Sequence, residues 1–110
     1  MISTGLGRKP VKTVRVDAAA TNITTAAYLE IIAANDVSFS YLEVYNGTTK
    51  ILKLAVGLAA AEVDVAHTIF PGIGSQVIPY DEVLKVGKRL TARAIDANAT
   101  TGYLILNFYA

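Results

Sequence analysis

The sequence predicts an all-β protein: a single-domain antiparallel β-sandwich or jelly roll of seven or eight short strands, with a flexible N-terminal arm. Three observations lead there. Short runs rich in β-branched and aromatic residues recur along the chain, separated by Gly, Pro, Asn and Asp. Within the clearest runs, apolar residues repeat at period two, the spacing of one strand face. No helical segments intervene of the kind that parallel βαβ units need. The 110 residues fit one domain. The expected division is an arm over residues 1–10 and one β-sandwich domain over residues 11–110, without an internal repeat.

Residues 1–10 contain Gly5, Gly7 and Pro10 and have no periodic face, which reads as a mobile arm. Val11-Lys12-Thr13-Val14-Arg15-Val16 reads as the first strand. Residues 24–34 admit two readings. Leu29, Ile32 and Ala33 suit a helical stripe, whereas Tyr28-Leu29-Glu30-Ile31-Ile32 suits a buried strand, and the flanking strands favour the second. Residues 37–45 and 50–56 flank Asn46-Gly47-Thr48-Thr49. Asn-Gly supplies the positive φ angles of tight turns, so a β-hairpin is expected there. Residues 57–64 read as a connection. Short strands are expected at 68–70 and 75–80, on either side of Pro71-Gly72-Ile73-Gly74. Residues 83–88 lead into 89–95, where Leu90, Ala92 and Ala94 face one way and Arg89, Thr91 and Arg93 the other. Residues 96–102 form a polar turn, and Tyr103-Leu104-Ile105-Leu106-Asn107-Phe108-Tyr109 is the closing strand. Leu42, Val44, Leu54, Leu90, Leu104 and Leu106 are the expected core.

Charged residues make up 17% of the chain, against about 25% in an ordinary soluble domain. Hydrophobic residues reach 53%, and the mean hydropathy is +0.42. At 11.7 kDa the folded surface should be roughly 5,900 Å², a large share of a small chain's total. Part of the apolar excess is therefore expected to be covered by a partner or by further copies of the chain, the other reading being an alanine-rich monomer. Net charge is +1 overall, but residues 1–17 carry Arg8, Lys9, Lys12 and Arg15 against Asp17. A mildly basic arm precedes a mildly acidic body. Arg8, Lys9, Lys12 and Arg15 are the expected partner-binding residues, through pairing with acidic groups on a neighbour. No run approaches the roughly 18 apolar residues of a membrane span. The N-terminus lacks the charged-then-apolar order of a signal peptide, so synthesis in a cytoplasm is expected. The Asn-x-Thr triplets at Asn22, Asn46 and Asn98 then read as turn chemistry.

Residues that carry chemistry are sparse. His67 is the one histidine and cysteine is absent, so no thiolate metal site or disulfide exists. Ser75, His67 and Asp64 can be written as a nucleophile, base and orienter, but no nucleophile elbow accompanies them. Asp81-Glu82 is too sparse for a calcium loop. Pro71-Gly72-Ile73-Gly74-Ser75 lacks the Lys-Ser/Thr and the helix of a phosphate loop. Lys85, Lys88, Arg89 and Arg93 could line one sheet face, with tyrosines to stack bases; a solvated polar face and core aromatics is the plainer reading. The expectation is a protein that is not an enzyme, with no cofactor, no metal, no nucleic acid and no membrane among its partners.

Three segments carry a resemblance: Ser40-Tyr41-Leu42-Glu43-Val44-Tyr45-Asn46 through Leu52-Lys53-Leu54-Ala55-Val56-Gly57; Ile69-Phe70-Pro71-Gly72-Ile73-Gly74 with Val86-Gly87-Lys88-Arg89-Leu90; and Ala99-Thr100-Thr101-Gly102-Tyr103-Leu104-Ile105-Leu106-Asn107-Phe108. Over residues 20–110 the chain resembles the small accessory proteins of tailed-phage virions, above all the capsid stapling or cement proteins of short-tailed phage heads. The resemblance implies a jelly-roll domain bound in many copies on the capsid exterior. There it bridges neighbouring major capsid proteins and resists internal DNA pressure, as a homo-oligomer with a dimer favoured over a trimer. It brings no catalytic residues. The alternative is a tail, neck or fibre-associated module that binds a host glycan or protein.

Overall fold

The computed structural model describes residues 9–33, 41–57, 62–79 and 89–109, with only the backbone described for residues 63–67 and 79. Eight strands follow one another: β1 (Lys12–Asp17), β2 (Leu29–Ile32), β3 (Tyr41–Asn46), β4 (Leu52–Gly57), β5 (Val63–Ile69), β6 (Ser75–Pro79), β7 (Arg89–Ala94) and β8 (Tyr103–Tyr109). They form two four-stranded sheets, ordered β1-β8-β3-β6 and β2-β7-β4-β5, with every pairing antiparallel. β1 pairs with β8, β2 with β7, β3 with β6 and β4 with β5. The chain is thus one long hairpin of four nested strand pairs, wrapped so that successive pairs fall in opposite sheets. That is the jelly-roll order, and it meets the fold-class expectation.

Each strand contributes one alternating face to a shared core. β3 buries Leu42, Val44 and Asn46; β8 buries Leu104, Leu106 and Phe108; β4 buries Leu52, Leu54 and Val56; β7 buries Leu90, Ala92 and Ala94. All six residues expected in the core are 3% exposed or less. Ile23 and Ala99 close one end, exchanging two backbone hydrogen bonds at 3.0 and 2.8 Å. The accessible surface of 5696 Å² matches the size scaling for a chain of this mass. Of the two readings for residues 24–34, the strand holds at Leu29–Ile32. Packing decides it: Leu29 and Ile31 lie against the core and Ile32 is within it.

The expected hairpin across Asn46-Gly47 is not formed. β3 and β4 lie in different sheets, and Gly47 is not among the glycines with positive φ. The segment is a corner between layers, built by the Asn46 side chain. Asn46 is 1% exposed. Its Nδ2 donates to the carbonyls of Lys50 (2.8 Å) and Ile69 (2.9 Å), and its Oδ1 accepts from the Thr48 N–H (3.0 Å) and hydroxyl (2.6 Å). Gly47 is required for another reason. Its N–H donates to the Tyr103 carbonyl at 2.7 Å, and a Cβ there would lie 2.9 Å from the Tyr45 ring. Period-two patterns on both strands agree equally well with a hairpin and with a corner, because each strand faces the same core. The short strand expected at 68–70 is the end of the longer β5, while Phe70 lies beyond it and is exposed. The connection expected over 57–64 is shorter than that, because Gly57 ends β4 and Val63 and Asp64 begin β5. The expected arm up to Arg8, residues 37–40, residues 58–61, residues 83–88 and Tyr80 lie outside the described residues.

Candidate binding face

The inner faces of the two sheets are the core, so any surface chemistry sits on the outer faces and the turns. The outer face of the β1-β8-β3-β6 sheet is laid out by register. Tyr109 stands opposite Tyr41, which is opposite Pro79. Thr13, Asn107, Glu43 and Val77 form the next row, then Arg15, Ile105, Tyr45 and Ser75, then Asp17 with Tyr103. The same alternation that buries Leu42, Val44, Leu104, Leu106 and Phe108 turns four tyrosines outward, each half-buried. The expectation of core aromatics is corrected here. Among the described aromatics only Phe108 is fully buried, and the tyrosines line a surface.

Those tyrosines are mutually packed. The Tyr41 and Tyr109 rings stack with centroids 5.0 Å apart and an interplanar angle of 15°. Tyr45 and Tyr103, diagonal neighbours across β3 and β8, are 5.8 Å apart and tilted by 47°. The Arg15 guanidinium lies 4.3 Å from the Tyr103 ring centroid and 3.2 Å from Asp17 Oδ1. The Thr13 hydroxyl donates to Asn107 Oδ1 at 2.6 Å. Such aromatic pairs contribute beyond their buried area and lose little entropy on docking, because neighbours already hold the rings.

The four expected partner-binding residues are not one cluster. Arg8 lies outside the described residues, and Lys9 is exposed ahead of β1. Lys12 and Arg15 lie within β1 at odd spacing, so they point to opposite faces of the sheet. Of the three that are described, Arg15 joins the tyrosine face. The tyrosines were missed as site residues because their shared surface depends on β3 lying beside β8. The available signal was local: Tyr alternates with the core residues of both strands.

The outer face of the β2-β7-β4-β5 sheet is different. The Arg89 guanidinium bonds the Glu62 carboxylate through Nη1, and its Nε lies 3.1 Å from Glu30 Oε1. The Glu62 side chain is almost fully buried. Arg93 lies over Tyr28 at 5.9 Å. Thr91 faces outward yet is buried, its hydroxyl donating to the Ala55 carbonyl at 3.1 Å. Arg89 is thus committed to two carboxylates rather than offered to a phosphate. Lys85, Lys88, Asp81 and Glu82 lie outside the described residues, as do the side chains of Asp64 and His67. Among the described residues, no three His, Asp or Glu side chains converge as metal ligands, and no helix is long and apolar enough to cross a membrane.

Fold and face together define an eight-stranded jelly roll with an aromatic outer sheet face. The chain matches no protein-family model, no curated protein and no solved structure.

Proposed function

We propose that this chain is a non-enzymatic structural protein of a phage virion, a head-decoration or cement protein that binds and stabilises the outside of the capsid shell. The observation that carries the reading is the tyrosine face of the β1-β8-β3-β6 sheet. Half-buried tyrosines with Ile105 and Val77, edged by Arg15, Asp17 and Glu43, have the composition of a protein-contact surface. The sequence resemblance to capsid stapling proteins supports the same reading, with the major capsid protein as partner. Contacts repeated over a lattice add as avidity, so each needs only modest strength.

The exposed aromatic cluster also favours a second reading, a tail or fibre module that binds a host glycan. Ring geometry argues for the first. A sugar stacks on an open ring face, whereas Tyr41 and Tyr109 cover one another and Arg15 covers Tyr103. Labelling intact virions with an antibody against the domain separates the two. Label on heads, lost from particles made with Tyr45→Ala and Tyr41→Ala, supports decoration. Label on tails, together with glycan-array binding that these substitutions abolish, would replace it with the adhesion reading.

A further inference from the structure

Among the described residues, four strands end the two sheets, and three of them carry features that discourage pairing with a further strand. β1 bears Lys12, Arg15 and Asp17. β2 is four residues long, bears Glu30 and pairs with a register shift. β5 bears Asp64, and its ladder with β4 also shifts register. β6 differs. It pairs with β3 in unbroken register over all five residues and carries no charge, with Pro79 at its end as the one protecting residue. Natural edge strands are blunted by charges, bulges or brevity, since an open flat edge is a template for another strand.

The segment that leads into β6 is uncharged as well, the nearest charge across the ladder being Glu43 opposite Val77. Residues 68–79 contain no Asp, Glu, Lys or Arg. Val77, the middle residue of β6, is 62% exposed, and Ile73 in the preceding turn is 60% exposed. That turn is held in place. Gln76 Nε2 donates to the Thr68 carbonyl at 3.0 Å, the Phe70 N–H donates to Gln76 Oε1 at 2.7 Å, and Gly72 and Gly74 take φ of 76° and 78°. The edge is therefore ordered before any partner arrives.

We propose that β6 is a self-association edge: two copies of this chain pair β6 with β6, antiparallel, about a two-fold axis at Val77. A two-fold operation sets Ser75 against Pro79, Gln76 against Ile78 and Val77 against Val77 of the other copy. An uncharged edge suits its own copy without charge matching, whereas an anionic membrane calls for basic residues that residues 68–79 lack. The product is one continuous eight-stranded sheet with the two tyrosine faces side by side. A five-residue strand pair is smaller than the roughly 800 Å² per partner of a stable complex, so the dimer forms in a concentration-dependent way. This inference rests on the edge alone and stands whether or not the chain decorates a capsid.

The absence of native cysteine makes single-cysteine variants a direct test. Directly opposed residues place their Cβ atoms about 4.5–5.5 Å apart, so Val77→Cys should give a covalent dimer on mild oxidation. Ser75→Cys would sit about 13 Å from its counterpart in this register and should stay monomeric. Thr13→Cys on the β1 edge should also stay monomeric. In sedimentation velocity the wild type should pass from 11.7 kDa toward twice that mass as concentration rises. Val77→Lys should weaken association by about tenfold or more with an unchanged circular dichroism spectrum and, at dilution where both proteins are monomeric, a similar melting temperature. A wild type that remains monomeric at high micromolar concentration would overturn the proposal. So would Ser75→Cys or Thr13→Cys cross-linking as fast as Val77→Cys, or a Val77→Lys variant that dimerises like the wild type.

Discussion

Asn46 holds the corner where the chain leaves one sheet for the other, and its removal has a cost that the geometry sets. In Asn46→Ala the buried Ile69 carbonyl and Thr48 N–H lose their partners. The Lys50 carbonyl keeps a 3.2 Å bond from the Thr48 hydroxyl, so it is not fully orphaned. Two buried unsatisfied groups at about 1–3 kcal/mol each give a loss of roughly 2–4 kcal/mol after partial relaxation. For 110 residues the unfolding entropy converts about 3 kcal/mol into a fall in Tm of roughly 10–15 °C. Asn46→Asp is the sharper probe. It puts a carboxylate oxygen where Nδ2 faced the Lys50 and Ile69 carbonyls, at a site 1% exposed. Burial and the two facing carbonyl dipoles raise the folded pKa of that carboxyl above its unfolded value, and they outweigh the two bonds from Thr48. Below the unfolded pKa the acid is neutral in both states and the charge penalty is absent. The penalty grows as pH rises through the unfolded pKa and levels off above the folded one. Asn46→Asp should therefore be at least as stable as Asn46→Ala near about pH 3, where the neutral acid keeps the Thr48 bonds, and should fall below it near about pH 8. Urea titrations followed by far-UV circular dichroism, at dilution low enough to keep the chain monomeric, measure both. A loss under about 1 kcal/mol for Asn46→Ala, or a pH-independent difference between the two variants, would refute the account of the corner.

Gly102→Ala should be severely destabilising, because φ is +81° and a Cβ would strike the Gly47 carbonyl and lie 2.9 Å from Thr48 Cα; a loss of about 3 kcal/mol or failure to fold is expected in the same titration. Leu106→Ala removes a fully buried side chain and should cost about 2–5 kcal/mol by chemical denaturation. Deleting residues 1–10 removes Arg8 and Lys9 and should lower occupancy on capsid shells and flatten its salt dependence, as measured by co-sedimentation; unchanged occupancy would take the arm out of the binding mechanism.

Much of the architecture was legible because alternation is a local property. Leu42 and Val44, Leu104 and Leu106, and Leu90 with Ala92 and Ala94 mark inner faces without any knowledge of neighbours, and all are buried. Period two thus determined the all-β class, most strand positions and the core. It also contained the outward direction of Tyr41, Tyr45, Tyr103 and Tyr109, which is the complement of the same alternation. What alternation does not encode is which strands become neighbours. A strand can bury its apolar face equally well in either layer of a sandwich, so the pattern around Asn46-Gly47 fits both a hairpin and a change of sheet. Hydrogen bonds between residues far apart in sequence decided it, the Asn46 amide reaching Ile69 and the Gly47 N–H reaching Tyr103. The same long-range pairing of β3 with β8 gathered four tyrosines from two distant segments into one face, and set β6 at the rim of its sheet with Val77 open to solvent.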